Sequence, residues 1–255
     1  MEFAGIRAIV SGAASGLGNA TARRIVEHGG RVAMLDMNEA LGQEAAAALG
    51  DAALFIRTDV SDEAQVDAAV AQAVAALGGV DLAVSCAGIL GAGRVLGRDG
   101  PMPGAQFRKV IEVNLLGTFL LGKAAAAAMA DNPPGADGER GVLVQTASVA
   151  AYEGQIGQAA YSASKGGVAA MALPMAREFA RIGVRVNTIA PGIFMTPMMA
   201  GMPPEVQQSL GAQVPFPSRL GEPEEYAAVV QFICETRMLN AEVIRLDGAI
   251  RMQPR

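Results

Sequence analysis

Ala8-Ile9-Val10-Ser11-Gly12-Ala13-Ala14-Ser15-Gly16-Leu17-Gly18 is the stretch on which the fold turns. Ala8–Val10 is a short apolar run of the kind a buried strand needs, and Ala20 to Glu27 carries helical patterning, so the glycines occupy a strand-to-helix turn. Glycine turns tightly there and lets a ligand approach the backbone. The free N–H groups and dipole of the helix that follows favour an anion such as a pyrophosphate. The spacing through Gly12, Gly16 and Gly18 is G-x-x-x-G-x-G, a variant of the dinucleotide fingerprint. A second strand, Arg31 to Leu35, ends in Asp36, the acidic partner expected for an adenosine ribose.

Outward from this turn, strand and helix patterns alternate. Strands are expected near 6–11, 31–36, 53–58, 80–86, 140–146, 184–189 and 242–247, and helices near 16–28, 39–49, 62–77, 104–130, 155–181 and 223–236. Alternation of this kind implies a single Rossmann-type α/β domain over 1–255, a doubly wound parallel sheet with helices on both faces. Continuous apolar strand cores suit a sheet covered on both sides. Asp59 and Ser61 are candidate caps for the helix near 62, and Pro133-Pro134-Gly135 marks a surface loop. Ligands in such sheets bind beyond the carboxyl ends of the strands, where Gly12, Asp36, Asp59, Gly88, Ser148 and Pro191 all fall.

Tyr161-Ser162-Ala163-Ser164-Lys165 carries the chemistry. It sets a phenol and an ammonium four residues apart on one helical face, thirteen residues after Ser148 at a strand end. Free tyrosine titrates near about 10, too high for a base at neutral pH, and a nearby cation favours the tyrosinate. Lys165 is expected to supply that cation. The layout suits moving a proton onto or off a substrate oxygen.

Composition excludes several classes. Half of the 255 residues are apolar, yet no run of eighteen is free of charges and breakers, so no membrane span is expected. A net charge of −5 argues against a nucleic-acid binder. Cys86 and Cys234 are expected to be reduced structural thiols. No His/Cys/carboxylate cluster suggests a metal, and His28, the single histidine, sits at a helix end where the dipole favours a cation. The first strand pattern begins so near Met1 that no signal peptide is expected, and a cytoplasmic location follows.

Charge also selects the cofactor. A ribose 2′-phosphate beside Asp36 would meet a like charge at roughly 4 Å, costing about 4 kcal/mol per pair at an effective dielectric near 20, about a thousandfold in affinity. Ala14, Ser15 and Met37 occupy the places where an arginine would accept that phosphate, so NAD is expected.

Together the glycine motif, Asp59-Val60, Cys86-Ala87-Gly88, Asn114, Ser148, Tyr161, Lys165 and Pro191-Gly192 resemble the short-chain dehydrogenase/reductase family over nearly the whole chain. Thr146–Lys165, Val214–Gly221 and Val243–Met252 are similar to its group of type 2 3-hydroxyacyl-CoA dehydrogenases, also described as 17β-hydroxysteroid dehydrogenases of type 10. So are the loops Gly91–Gln106 and Asp131–Arg140. The resemblance implies catalytic roles for Ser148, Tyr161, Lys165 and Asn114. Tyr161 is then the acid/base, Lys165 its partner and a ligand of the nicotinamide ribose, Ser148 the holder of the substrate oxygen, and Asn114 the anchor of a water relay. Ser15, Gly16, Leu17 and Gly18 are implied at the phosphates, Asp59 and Val60 at the adenine, Cys86, Ala87 and Gly88 along the cofactor, and Pro191, Gly192, Ile193 and Thr196 at the nicotinamide side. Ser85 departs from the family, which often carries Asn there; that places a local hydrogen bond in doubt, not the chemistry.

The resemblance implies oxidation of a short-chain 3-hydroxyacyl-CoA, with a steroid or other secondary alcohol, or a non-catalytic NAD-binding role, as alternatives. Residues 193–220 are expected to form a substrate lid carrying Phe194, Met195, Met198, Met199, Met202 and Phe216, and Gln155 is a candidate substrate contact. Arg94, Arg98, Arg108 and Arg219 are candidates for a basic patch near that lid. A homotetramer is expected, with the long helices paired through the small residues Ala124–Ala128 and Gly166-Gly167, and with Leu246–Met252 at a second interface.

Overall fold

The computed structural model describes residues 1–98 and 100–254, with the backbone alone at Met198. Asp99, in the expected 91–106 loop, Arg255 and the side chain of Met198 lie outside the described residues. Seven parallel strands form the central sheet: β1 Arg7–Ser11, β2 Arg31–Asp36, β3 Ala53–Arg57, β4 Leu82–Ser85, β7 Gly141–Thr146, β8 Val184–Pro191 and β9 Val243–Leu246, in the order β3-β2-β1-β4-β7-β8-β9. All seven were expected from the sequence. A two-stranded antiparallel hairpin, β5 Leu96–Gly97 with β6 Gly100–Pro101, was not; its strands are too short for periodicity to register.

The strands alternate their side chains between two cores, as a pleated strand must. Ile9, Ala33, Leu35, Ala83 and Leu143 face α3 Glu63–Leu77, α5 Gly117–Met129 and α6 Ala159–Phe179. Ala8, Val10, Val32, Met34, Val84 and Val144 face α1 Gly16–Glu27, α2 Glu39–Ala47 and α9 Pro223–Glu235. The strand order reverses between β1 and β4, and that switch point opens the crevice in which a dinucleotide lies.

Three local expectations are corrected. The stretch expected as one helix over 104–130 comprises α4 Gly104–Ile111, a wider π turn at Glu112–Leu116, and α5. An eighteen-residue window of Gly104–Met129 is apolar enough to cross a membrane by length and composition alone, but 56% of it is buried inside this fold, against the sheet and α3. The helix expected from 155 begins at Ala159, because Gly157 adopts φ +92 and Gln155–Gln158 form a turn. Asp62, not Asp59 or Ser61, caps α3: its carboxylate accepts the Gln65 N–H at 3.2 Å, while Asp59 accepts the N–H and hydroxyl of Ser61.

Candidate active site

The glycine turn is built by close approach. Gly12 has φ +65, and a Cβ there would stand 2.7 Å from the Ala87 nitrogen, so β1 and β4 converge only over a bare backbone. A Cβ on Gly18 would stand 2.3 Å from the Gly12 carbonyl oxygen. Ser15 is extended and leads directly into α1. Asp36 is drawn into the same turn: its carboxylate accepts the N–H of Ala14 at 3.1 Å and of Asn38 at 3.0 Å.

One cleft of about 720 Å³ runs along the carboxyl edge of the sheet. Gly12, Ser15, Gly16, Leu17, Gly18, Asp36, Asp59, Val60, Cys86, Ala87, Gly88, Ser148, Gln155, Tyr161, Lys165, Pro191, Gly192, Ile193 and Thr196 all line it. Asn114 does not. It is fully buried in the π turn, exchanging two hydrogen bonds with the backbone of Ile89, at 2.8 and 2.9 Å, and donating to the Ser164 hydroxyl at 3.0 Å. Its own carbonyl accepts the Thr118 hydroxyl at 2.7 Å. Asn114 therefore fixes the strand-end loop onto α6, behind the cleft wall.

Ser148, Tyr161 and Lys165 all line this cleft. Burial pushes the Tyr161 phenol above its ordinary value, and the Ser148 hydroxyl opposes this. Lys165, only 4% exposed, donates to the Thr146 carbonyl at 2.7 Å and stands 5.8 Å from the Tyr161 ring centroid. The expected lowering of Tyr161 by Lys165 is thus not what this arrangement shows: the ammonium is aimed at a peptide oxygen, and burial dominates the phenol. Burial also pushes Lys165 down to about 8, the Cys86 thiol opposing it.

The lid stem is pinned by Met195 N–H donating to the Gly221 carbonyl at 2.8 Å and Gly221 N–H to Ile193 at 2.9 Å. Two short helices follow, α7 Pro197–Ala200 and α8 Pro204–Gly211. Met199, Phe194 and Leu210 face the cleft. Phe216 is 83% exposed and lies outside it, its N–H tied to Gly248 at 3.2 Å, so it is removed from the expected lining. Gln155 lines the cleft while its amide donates to the Gln253 carbonyl at 3.1 Å. Of the four expected basic residues, Arg219 is engaged by Glu225 through two 2.8 Å contacts; Arg94, Arg98 and Arg108 are exposed. Met252, expected at an interface, and Lys109, which no motif signalled, line the cleft too. His28 caps α1, its ring nitrogen 2.8 Å from the Arg24 carbonyl.

This glycine turn, acidic strand end and Ser/Tyr/Lys convergence, on a parallel sheet, mark an oxidoreductase acting on CH–OH groups. The short chain dehydrogenase family model matches residues 7–207, and the chain belongs to that family. It is 51% identical to the 3-hydroxyacyl-CoA dehydrogenase type-2 of Homo sapiens, across 98% of this chain and 97% of that one. The protein of the same name from Drosophila melanogaster is 48% identical, over 96% and 97%. The crystal structure of 3-hydroxyacyl-CoA dehydrogenase type-2 from Mycobacterium avium superposes with a TM-score of 0.93 at 42% identity, covering 98% of each chain. The enzyme is NAD-dependent, and the residues present fit that cofactor: bare backbone at Gly12, a helix N-terminus at Ser15, and a carboxylate, with no arginine at positions 14, 15 or 37, where the ribose hydroxyls belong.

Proposed function

We propose that the enzyme oxidises the 3-hydroxyl of short-chain 3-hydroxyacyl-CoA esters to the 3-keto form, with Ser148, Tyr161 and Lys165 as its proton-handling residues. The observation that carries the reading is their convergence in one cleft with the whole glycine turn. The turn and the N-terminus of α1 would hold the pyrophosphate, Asp36 the adenosine ribose and Lys165 the nicotinamide ribose. NAD, when bound, supplies the hydride acceptor. The Tyr161 phenolate oxygen takes the proton of the substrate hydroxyl. Ser148 donates a hydrogen bond to the same substrate oxygen and holds it against Tyr161. Tyr161 first releases its own proton to solvent, and the Lys165 ammonium, 5.8 Å from its ring, favours the resulting phenolate against the opposing effect of burial. The lid residues Phe194, Met199 and Leu210 offer an apolar, adaptable wall to an acyl chain. Arg94 and Arg98 stand exposed on the hairpin arm, whose Gly93 N–H donates to Gly157 at 2.9 Å beside the cleft, where an anionic carrier would pass.

Cys86 and Cys234 are unpaired, which supports placing the enzyme in the reducing cytoplasm. Self-association to a homotetramer is supported by apolar side chains left on the long helices, Phe107, Leu116 and Phe119 with Leu173 on α6. The expected role of Gly167 in that contact is not supported, since its bare Cα already accommodates Leu115 of the same chain. The substrate reading is tested by initial rates with NAD and 3-hydroxybutyryl-CoA, against NADP and against a hydroxysteroid. Fast NADH formation from the thioester alone, with NAD favoured by two orders of magnitude or more, is expected; faster turnover of the steroid would overturn the acyl-CoA assignment.

A further inference from the structure

Thr146 is the last residue of β7, and its two sides are held differently. Toward β8 it is paired with Ile189, and the next N–H, from Ala147, donates to the Ile189 carbonyl at 2.8 Å. Toward β4 the ladder has already ended at the Ser85–Gln145 pair, so no strand steadies the Thr146 peptide there. Side chains take the strand's place. The Thr146 and Tyr226 hydroxyls lie 2.6 Å apart, the Thr146 hydroxyl donates to Cys86 Sγ at 3.7 Å, and the Cys86 thiol donates to the Tyr226 oxygen at 3.6 Å. With Tyr226 donating to Thr146 the ring closes, each group giving one proton and accepting one. Tyr226 reaches in from α9 and is fully buried, so its hydroxyl has no water to prefer. The carbonyl of this same Thr146 holds the Lys165 ammonium at 2.7 Å.

We propose that Tyr226 is a positioning residue for the reaction: by holding the Thr146 hydroxyl it fixes the Thr146 peptide, and thereby the place at which the Lys165 ammonium stands beneath Tyr161. Tyr226 touches neither cofactor nor substrate; it is absent from the cleft lining, whereas Thr146, Cys86 and Lys165 are present in it. Without the hydroxyl the Thr146 peptide is held from the β8 side alone, and a tilt of its carbonyl carries the ammonium with it. A misplacement of about 1 Å can cost about a hundredfold in rate. The proposal rests on the reading of Lys165 as the partner of Tyr161.

The test compares Tyr226→Phe, Thr146→Val, their double variant and Thr146→Ser, assayed well below each melting temperature. Each single hydroxyl deletion is expected to lower kcat about tenfold and weaken NADH binding several-fold, with KM for the alcohol within about twofold of wild type. The double variant is expected to lose no more than either single one, because both remove the same bond, and Thr146→Ser, which keeps the hydroxyl, to retain kcat within about threefold. A Tyr226→Phe protein with wild-type kcat and only a lower melting temperature would overturn the proposal, as would losses that multiply in the double variant. If wild-type protein turns over no 3-hydroxyacyl-CoA, the substrate reading fails instead. NADH affinity across the same variants, followed by cofactor fluorescence, then decides this proposal: the same pattern supports it, unchanged affinity overturns it.

Discussion

A buried ammonium is costly to a fold, and Lys165 is held where its proton is weakened to about 8, well under its ordinary 10.5. Below pH 8 the lysine is charged in both folded and unfolded chains and the full burial cost applies. Above 10.5 it is neutral in both and the cost is gone. Between those values the unfolded chain binds more protons, so stability rises with pH. Relative to Lys165→Met, the unliganded wild-type protein is therefore expected to gain up to about 3 kcal/mol as pH rises across that window, at roughly 1.4 kcal/mol per pKa unit. Urea unfolding of both proteins at pH 7 and pH 10 measures this; parallel pH dependence would show that Lys165 is not desolvated. Asp36 stood out in the sequence as a candidate cofactor ligand by its place at a strand end, and the structure sets it in the cleft. That it also accepts the Ala14 N–H, and so braces the glycine turn, was not, because a hydrogen bond between chain segments leaves no mark on spacing. The same holds for Lys165: its four-residue offset from Tyr161 was plain, but the Thr146 carbonyl that orients it becomes a neighbour only after β7 and α6 pack.

At the scale of the element, the strand-to-helix turn is the most constrained part of the chain. Gly12→Ala places a Cβ both at φ +65 and against the Ala87 backbone. Gly5 has a similar φ of +71 but nothing within 4 Å of its Cβ position. Gly5→Ala is thus expected to cost about 1–2 kcal/mol from the backbone conformation alone, and Gly12→Ala clearly more, with loss of NAD binding. Denaturant midpoints and cofactor titration check it, and equal costs for the two substitutions would refute the close approach of β1 and β4. The turn was readable because its glycines are required locally. The start of α6 and the π turn in the 104–130 helix were not: Gln155–Gln158 look helical until Gly157 is forced left-handed, and Glu112–Leu116 widen where Asn114 is drawn to Ile89 and Gly117 lies against Val60. A π turn beside a functional site is a common device for re-aiming a side chain. Its cause is tertiary, so helical periodicity alone predicts an unbroken helix.

For the whole molecule, alternating apolar strands and helices dictated the doubly wound sheet, and the sheet brought residues from Gly12 to Thr196 to one edge. What periodicity could not place were the short pieces that decorate that edge. The β5–β6 hairpin is one; the terminal segment is another, where Ile156 donates to Pro254 at 3.0 Å and Met252 reaches the cleft. This tail, expected at a second interface, is also tied to its own chain through Arg245, which pairs with Glu153 at 2.7 Å and Asp247 at 2.8 Å. The exposed Phe119 and Leu116 support the proposed association through the long helices. Light scattering is expected to give about four times 26.1 kDa, and Phe119→Asp a smaller species; a wild-type monomer at micromolar concentration would contradict the tetramer.

In the proposed reaction Tyr161 exchanges the proton with the substrate oxygen. The most direct measurement of this exchange is kcat of Tyr161→Phe with NAD and 3-hydroxybutyryl-CoA, alongside NADH binding to the same protein. The aromatic ring, and with it the packing of α6, is retained in that variant. A fall in kcat of about a thousandfold or more, with NADH affinity within a few-fold of wild type, is the predicted result. Turnover within tenfold of wild type would contradict it, since the proton would then be passing through another group of the cleft.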